Sequence, residues 1–191
     1  MEFFLVIKNR KSTRKFSDKL VLRESIIKMI ESARLAPSAA DRQNWYFLVL
    51  EGKEKDDIAN IMKKHLDKER KVLDSMKHAT KKYRPTSSLH GSIYAIKEAP
   101  ILILALRKNQ KEWIEGDYLS IGAAIENMCL TATDLGIDTL WIRDVVYVRN
   151  KIVKHLKYND MDLVSAIAVG YSRELPYERK KKKIEDIMNW V

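Results

Sequence analysis

The sequence predicts a layered α+β or α/β domain, because segments with helical and strand periodicity alternate along its 191 residues. Two short, β-rich apolar runs, residues 101–106 and 163–169, have the length and composition of buried strands. Between them, residues 116–135 form the longest helical pattern, with Leu119, Ala123, Met128, Leu130 and Leu135 among its apolar positions. Gly136 is placed to cap it. With 46% hydrophobic residues, the chain can bury a core and fits one domain, or one domain with an insertion.

Taken in order, Phe3, Phe4 and Ile7 predict a short amphipathic helix ahead of the basic stretch 10–15. Residues 22–36 place Ile26, Ile30 and Ala33 on one helical face, and Pro37 stops that helix. Residues 45–50 read as a buried strand closed by Gly52, and 56–76 as one or two charged helices. Residues 77–98, with Pro85, Gly91 and several serines, read as irregular, either a lid or a plain surface insertion. Strands at 139–142 and 163–169, separated by a helical stretch near 149–156, complete the pattern.

The formal net charge of +10 raises the question of nucleic acid, since lysine and arginine displace counterions from phosphate backbones. Much of that charge lies in two places, residues 53–82 with acids interspersed and the compact run 179–183. The first reads as a solvated helix surface, and no nucleic-acid-binding motif accompanies either. A single cysteine, Cys129, excludes an internal disulfide and fits a reducing, cytoplasmic setting. The apolar start is too short for a signal peptide, and no run approaches the roughly 20 residues of a bilayer span, so no membrane association is expected. The six glycines form neither a dinucleotide-binding turn nor a P-loop, the four histidines show no zinc spacing, and no serine sits in a nucleophile elbow. No metal is expected. A chain so short of catalytic side chains fits chemistry carried by a cofactor.

Arg10, Lys11, Ser12, Thr13 and Arg14 pack guanidinium forks and hydroxyls into five residues, a composition suited to phosphate and equally to a basic surface turn. Residues 36–45, A-P-S-A-A-D-R-Q-N-W, join a helix to a strand and offer polar groups for a heterocycle, or serve as an ordinary connection. Residues 135–142, L-G-I-D-T-L-W-I, run from a helix end into a strand, and Val169, Gly170 and Tyr171 end another. Beyond Pro176, Arg179 and Lys181 are a second candidate set of phosphate donors or part of a solvated tail.

In order, R-x-S-x-R, then A-P-S-A-x-x-x-Q-x-W-x-F, then L-G-I-x-T-x-W-I, then V-G-Y-x-x-E-x-P-x-x-R-x-K resemble the nitroreductase family of flavoproteins. The resemblance runs from about residue 6 to 187 and is loose only across a variable helical insertion at about 53–98. It implies a single domain over 1–191 with a compact α+β fold, a mainly antiparallel sheet flanked by helices. It also implies an intertwined homodimer with FMN at the subunit interface and NADH or NADPH as electron donor. By matching positions, Arg10, Lys11, Ser12 and Arg14 are expected at the FMN phosphate and ribityl chain, with Arg179 and Lys181 adding charge. Pro37, Ser38 and Ala39 are expected along the flavin ring from the partner subunit, with Gln43 nearby. Trp141, Ile142 and Arg143 are expected to approach the ring from the other side. The helix at 116–135 is expected at the dimer core, with Gly122, Ala123 and Ala124 permitting close approach.

The family commonly has asparagine where this chain has Asp41. An ionised acid cannot donate a hydrogen bond, so Asp41 turns away, meets Arg42 or tunes the cofactor. The implied activity is hydride transfer from NAD(P)H through FMN to a flat, electron-poor acceptor such as a nitroaromatic or quinone, by a ping-pong route without a catalytic side chain. Two other classes stay open on the residues alone, a flavin store or sensor without turnover and a basic nucleic-acid-binding protein.

Overall fold

The computed structural model describes residues 2–75, 86–174 and 180–191. Four strands form one antiparallel sheet, β1 (Tyr46–Glu51), β2 (Ile101–Lys108), β3 (Asp138–Ile142) and β4 (Met161–Gly170), in the order β1-β2-β4-β3. Helices α1 (Phe3–Asn9), α2 (Arg23–Arg34), α3 (Gly52–Ser75), α4 (Thr86–Glu98), α5 (Ile114–Asp134) and α6 (Arg149–His155) surround it. The α+β alternative of the sequence reading is therefore the observed one, since every strand pair is antiparallel.

The two central strands explain why the sheet is covered on both faces. Leu102, Leu104 and Leu106 of β2 join Ala166 and Ala168 of β4 in a core closed by α3, α4 and α6. Their alternates Ile101, Ile103 and Ala105 join Ile167 and Val169 beneath α2 and α5. A bulge makes this parity work: Ala105 pairs with Ser165 but Leu106 with Leu163, and the extra residue Val164 returns Leu163 to the same face as Leu106. Central strands buried on both faces read as continuous apolar runs, which is how β2 and β4 appear in the sequence.

β1 departs from expectation. It lies at the sheet edge with only Leu50 buried, because one of its sides has no strand to pair with among the described residues. Gly52, at φ +51°, starts α3 directly instead of closing a turn. α3 is one helix that buries Ile58, Ala59, Met62 and Leu66, and residues 86–98, expected to be irregular, form α4. The spacing of Leu89, Ile93 and Ile96 places a stripe of α4 in the core, so this segment is a wall of the domain rather than a surface addition. Residues 77–85 of the expected irregular stretch lie outside the described residues. Lys55, itself buried, fixes the two helices together: its ammonium donates to the carbonyls of Ile96 (2.8 Å) and Lys97 (3.0 Å), orphaned at the end of α4.

α5 presses Ile121, Ala124, Ile125, Met128, Cys129 and Ala132 onto the sheet and α2, where Met29 rather than the expected Ile30 is fully buried. Ala124 is thus spent in the chain's own core. Gly122 and Ala123 stay half-buried, Gly122 beside Trp141 and Ala123 against the edge of that core, while Leu119 is exposed. Burial pushes the Cys129 thiol up to about 11, against a contact with Thr139 that lowers it. In α1 the predicted apolar face is reversed, with Val6 buried and Phe3, Phe4 and Ile7 exposed. No helix among the described residues is long and apolar enough to cross a membrane.

Gly170 closes β4 where three segments converge. A Cβ there would stand 2.7 Å from Pro100 Cδ and 2.9 Å from Phe16 Cδ1, both ring atoms with little freedom to yield. Gly170→Ala is expected to destabilise the fold by about 1–3 kcal/mol, the usual cost of overpacking. Urea unfolding with an unchanged midpoint would contradict that packing.

Candidate functional site

The basic stretch is held as an extended strap along the free side of β3. Ser12 bridges Thr139 in parallel, and the Thr13 N–H donates to the Thr139 carbonyl at 2.9 Å. Further along, the Ser17 N–H donates to Tyr171 (2.8 Å) and the Arg173 N–H to Lys15 (3.0 Å). Asp138 fastens the strap's side chains. One carboxylate oxygen accepts from the Thr13 hydroxyl at 3.3 Å and lies 3.5 Å from the Lys11 ammonium, while the other accepts from the Ser172 N–H at 2.9 Å. Arg10 pairs with Glu126 of α5 at 3.4 Å. Arg14 is exposed, and its guanidinium reaches only the Ser12 carbonyl (3.4 Å) among the described residues.

Glu98, the last residue of α4, anchors the strap's far end. Its carboxylate accepts from the Phe16 N–H at 3.0 Å and pairs with Arg173. Burial acts to raise its pKa, but hydrogen bonds from Tyr94, Arg173 and the Phe16 N–H outweigh it and hold the carboxyl below its ordinary value.

Residues 37–43 form a second cluster at the N-terminal end of α5. Ala40, Asp41 and Gln43 all have left-handed φ, near +50°. Such backbone costs on the order of 1–2 kcal/mol for a residue with a Cβ and persists only where its surroundings hold it. Ser120 accepts from the Ala39 N–H at 3.0 Å, and the Ser38 hydroxyl accepts from the Gln43 N–H at 3.1 Å. Gly116 lets the loop approach, since a Cβ there would be 2.9 Å from the Ala39 Cβ. The Asp41 carboxylate accepts from the Gln43 side-chain amide at 2.9 Å, so it does not meet Arg42. Arg42 turns instead to Asp117 (3.4 Å) and Gln110 (2.8 Å).

At the far end of β3, Trp141 is exposed on its face while its indole N–H donates to Ser165 at 2.7 Å. Ser165 in turn donates to the Ile142 carbonyl at 2.9 Å, and the Ile142 side chain is buried. Ile142 therefore presents neither its side chain nor its carbonyl at the surface. Arg143 is exposed and its guanidinium donates to the Tyr147 hydroxyl at 3.1 Å. Lys181 is exposed in the tail, and Arg179 lies outside the described residues.

Among the described residues of one chain these groups form two separate clusters. The strap and β3 lie side by side, whereas Arg10 meets α5 at Glu126 and Ala39 approaches it at Gly116, ten residues or about 15 Å along the helix. Sequence reasoning missed Glu98, Asp117, Ser120 and Asp138, which fix both clusters. An acid in the first turn of a helix reads as dipole compensation, so Asp117 carried no distinct signal.

The family model described as the nitroreductase family matches residues 7–171. The chain belongs to the nitroreductase family. Membership makes it an oxidoreductase, and the matched span takes in the strap, the loop at 37–43 and β3. A curated relative from Archaeoglobus fulgidus, provisionally named an NADH dehydrogenase/NAD(P)H nitroreductase, is 27% identical over 178 residues, 91% of this chain and 87% of that protein. The structure of a BluB-like flavoprotein from Clostridium difficile superposes with a TM-score of 0.80 at 25% identity, covering 100% of this chain and 99% of the other. A Bacteroides fragilis nitroreductase solved with bound FMN has the same fold, with a TM-score of 0.75 at 23% identity, covering 100% and 99%.

Because the Glu98 carboxyl is held below its ordinary value of 4.5, its stabilisation is present above that pH and lost as pH falls through the lower folded value. Glu98→Gln should be less stable than wild type at neutral pH and lose less stability below pH 4.5. Urea unfolding at the two pH values measures both. Equal acid sensitivity in the two proteins would remove Glu98 as the strap's anchor.

Proposed function

We propose that this chain is an FMN-dependent oxidoreductase that works as a homodimer, takes a hydride from NADH or NADPH, and passes electrons to a flat, electron-poor acceptor such as a nitroaromatic or quinone. The observation that carries the reading is the strap. It fixes Arg10, Lys11, Ser12 and Arg14 beside β3, whose Trp141 stands exposed two residues beyond the Ser12–Thr139 bridge. A phosphate group and an attached aromatic ring require such a neighbourhood, with cations at one end and a flat surface at the other. The exposed Arg14 guanidinium, with only a carbonyl for a partner among the described residues, suits a dianion. The relatives named as flavoproteins, NAD(P)H nitroreductases or FMN-bound structures point the same way.

Bound there, FMN supplies the hydride-accepting and electron-donating chemistry. The chain's own part is to orient and to exclude water. Arg10 and Arg14 hold the phosphate with charge-assisted hydrogen bonds, Lys11 adds positive potential, and the Ser12 hydroxyl faces the ribityl chain. Pro37, Ser38, Ala39 and Gln43 bound the ring from a second subunit, on the family's pattern of a flavin held between two chains. Asp41 accepts from the Gln43 amide through one oxygen, which directs it to Gln43 rather than to Arg42. The variable portion at about 53–98 belongs to this single domain, and its described parts, 53–75 and 86–98, are helical and wall one face.

The second subunit has an apolar surface to cover. Leu119 is 77% exposed in the second turn of α5, and Phe4 of α1 (73%) and Trp190 of the tail (86%) are likewise displayed. Ala123→Arg, one turn along α5 from Leu119, should yield a folded monomer that no longer retains flavin. Light scattering and absorbance check this, and a yellow dimer carrying the substitution would contradict it.

Wild-type protein should be yellow or become so with FMN, be bleached by NADH or NADPH, and regain colour with a quinone. A protein that stays colourless with FMN ends this reading, and one that binds but never turns over is a store. Arg14→Ala should weaken FMN by about one to two orders of magnitude and leave riboflavin affinity unchanged, since only FMN carries the phosphate. Equal weakening of both would move Arg14 off the phosphate. Salt-dependent affinity for a DNA duplex, lost in Arg14→Ala while FMN affinity holds, would favour nucleic-acid binding.

A further inference from the structure

A buried ion network lies directly behind the loop at 37–43. Asp117, in the first turn of α5, is 2% exposed, and three donors converge on its carboxylate. Asn44 donates to one oxygen at 2.6 Å, Arg107 lies 3.5 Å from that same oxygen, and Arg42 lies 3.4 Å from the other. Arg107, itself 3% exposed, donates to Asp162 at 2.7 Å and to the Gln110 carbonyl at 2.9 Å. Arg42 and Arg107 are thus balanced by Asp117 and Asp162. Asn44 closes the network onto the sheet by accepting from the Lys108 N–H at 3.1 Å.

Ionic groups this far from water are costly unless fully paired, and removing one partner strands the others. Two of the three donors to Asp117, Arg42 and Asn44, flank Gln43 in sequence. Gln43 and its neighbours Ala40 and Asp41 hold left-handed backbone that a free loop would abandon. Of the loop's other side-chain fixings, Ser120 to the Ala39 N–H and Ser38 to the Gln43 N–H are neutral hydrogen bonds, and the bond from the Gln43 amide to Asp41 lies exposed to water. The network is the one centred on buried charges, Asp117 and Arg107, and it grips both sides of Gln43, a residue expected near the flavin ring.

We propose that Asp117 is a positioning residue for the flavin ring, acting through Arg42 and Asn44 to hold residues 37–43 in the one backbone conformation that fits it. The inference rests on the FMN reading above, and adds that the geometry of the ring side, as distinct from the phosphate side, is set by a buried carboxylate that touches no ligand. A residue acting in this way affects riboflavin and FMN equally. Arg14, at the phosphate, separates them.

The test uses Asp117→Asn and Arg42→Met in the full chain, each checked for folding by circular dichroism, with FMN and riboflavin titrated separately. Arg42→Met leaves Asp117 partnered by Arg107 and Asn44, so it reports even if Asp117→Asn does not fold. Both flavins are expected to weaken by the same factor in each folded variant, roughly tenfold or more, the scale of one charge-assisted hydrogen bond. The visible band of bound flavin should also change shape, which a loss of global stability alone does not produce. Wild-type affinity for both flavins in the folded variants, even with lowered thermal stability, would overturn the positioning role. So would weakening of FMN alone, which would place the effect at the phosphate. Wild-type protein that binds neither flavin overturns the cofactor reading itself, and this inference with it.

Discussion

Cations set close together repel unless a counter-charge lies within reach, and for the N-terminal strap that charge is Asp138. Its two oxygens take Thr13, Lys11 and the Ser172 N–H, so one carboxylate joins the strap, the start of β3 and the chain leaving β4. The backbone bridge at Ser12 and Thr139 depends on that neutralisation, and the placement of Arg10 and Arg14 depends on the bridge. Loss of Asp138 would leave the strap's charges unscreened beside β3. Asp138 and Glu126 answer Lys11 and Arg10, while the Arg14 guanidinium meets only a carbonyl among the described residues.

The two clusters follow one scheme. Each is an extended or strained backbone segment that could not hold its shape alone, and each is pinned by a carboxylate distant in sequence. Asp138 and Glu98 serve the strap, and Asp117 serves the loop. α5 connects them within the chain, meeting the loop at Gly116 and Arg10 at Glu126, and so fixes the spacing between the two clusters. A helix is well suited to this, because its rise per residue is fixed by its own hydrogen bonds.

How much of this was legible in the sequence depended on where each element lies. β2 and β4 were readable because a central strand covered on both faces must be apolar throughout. β1 was misread as buried because Tyr46 and Val49 are apolar yet sit at the sheet edge. α4 was missed because Ser88, His90, Gly91 and Ser92 interrupt a stripe that only Leu89, Ile93 and Ile96 define. Two of those interruptions have a purpose, since the Ser88 and Ser92 hydroxyls both donate to the buried carboxylate of Asp144. The candidate site shows the same division. Arg10, Ser12, Pro37 and Gln43 stood out through local motifs, while Asp117, Asp138 and Glu98 act through contacts that no spacing rule encodes.

The lone thiol has a practical consequence. Cys129 lies beneath α5 against Thr139, the residue the strap is stitched to, and its burial keeps it protonated at physiological pH. An alkylating reagent reaches it only when α5 lifts from β3. Because Cys129 is the single cysteine in the chain, the labelling rate measures that opening without any engineered probe. The chain thereby carries its own clock for motion at the junction between the strap, the sheet and the helix that spans both clusters.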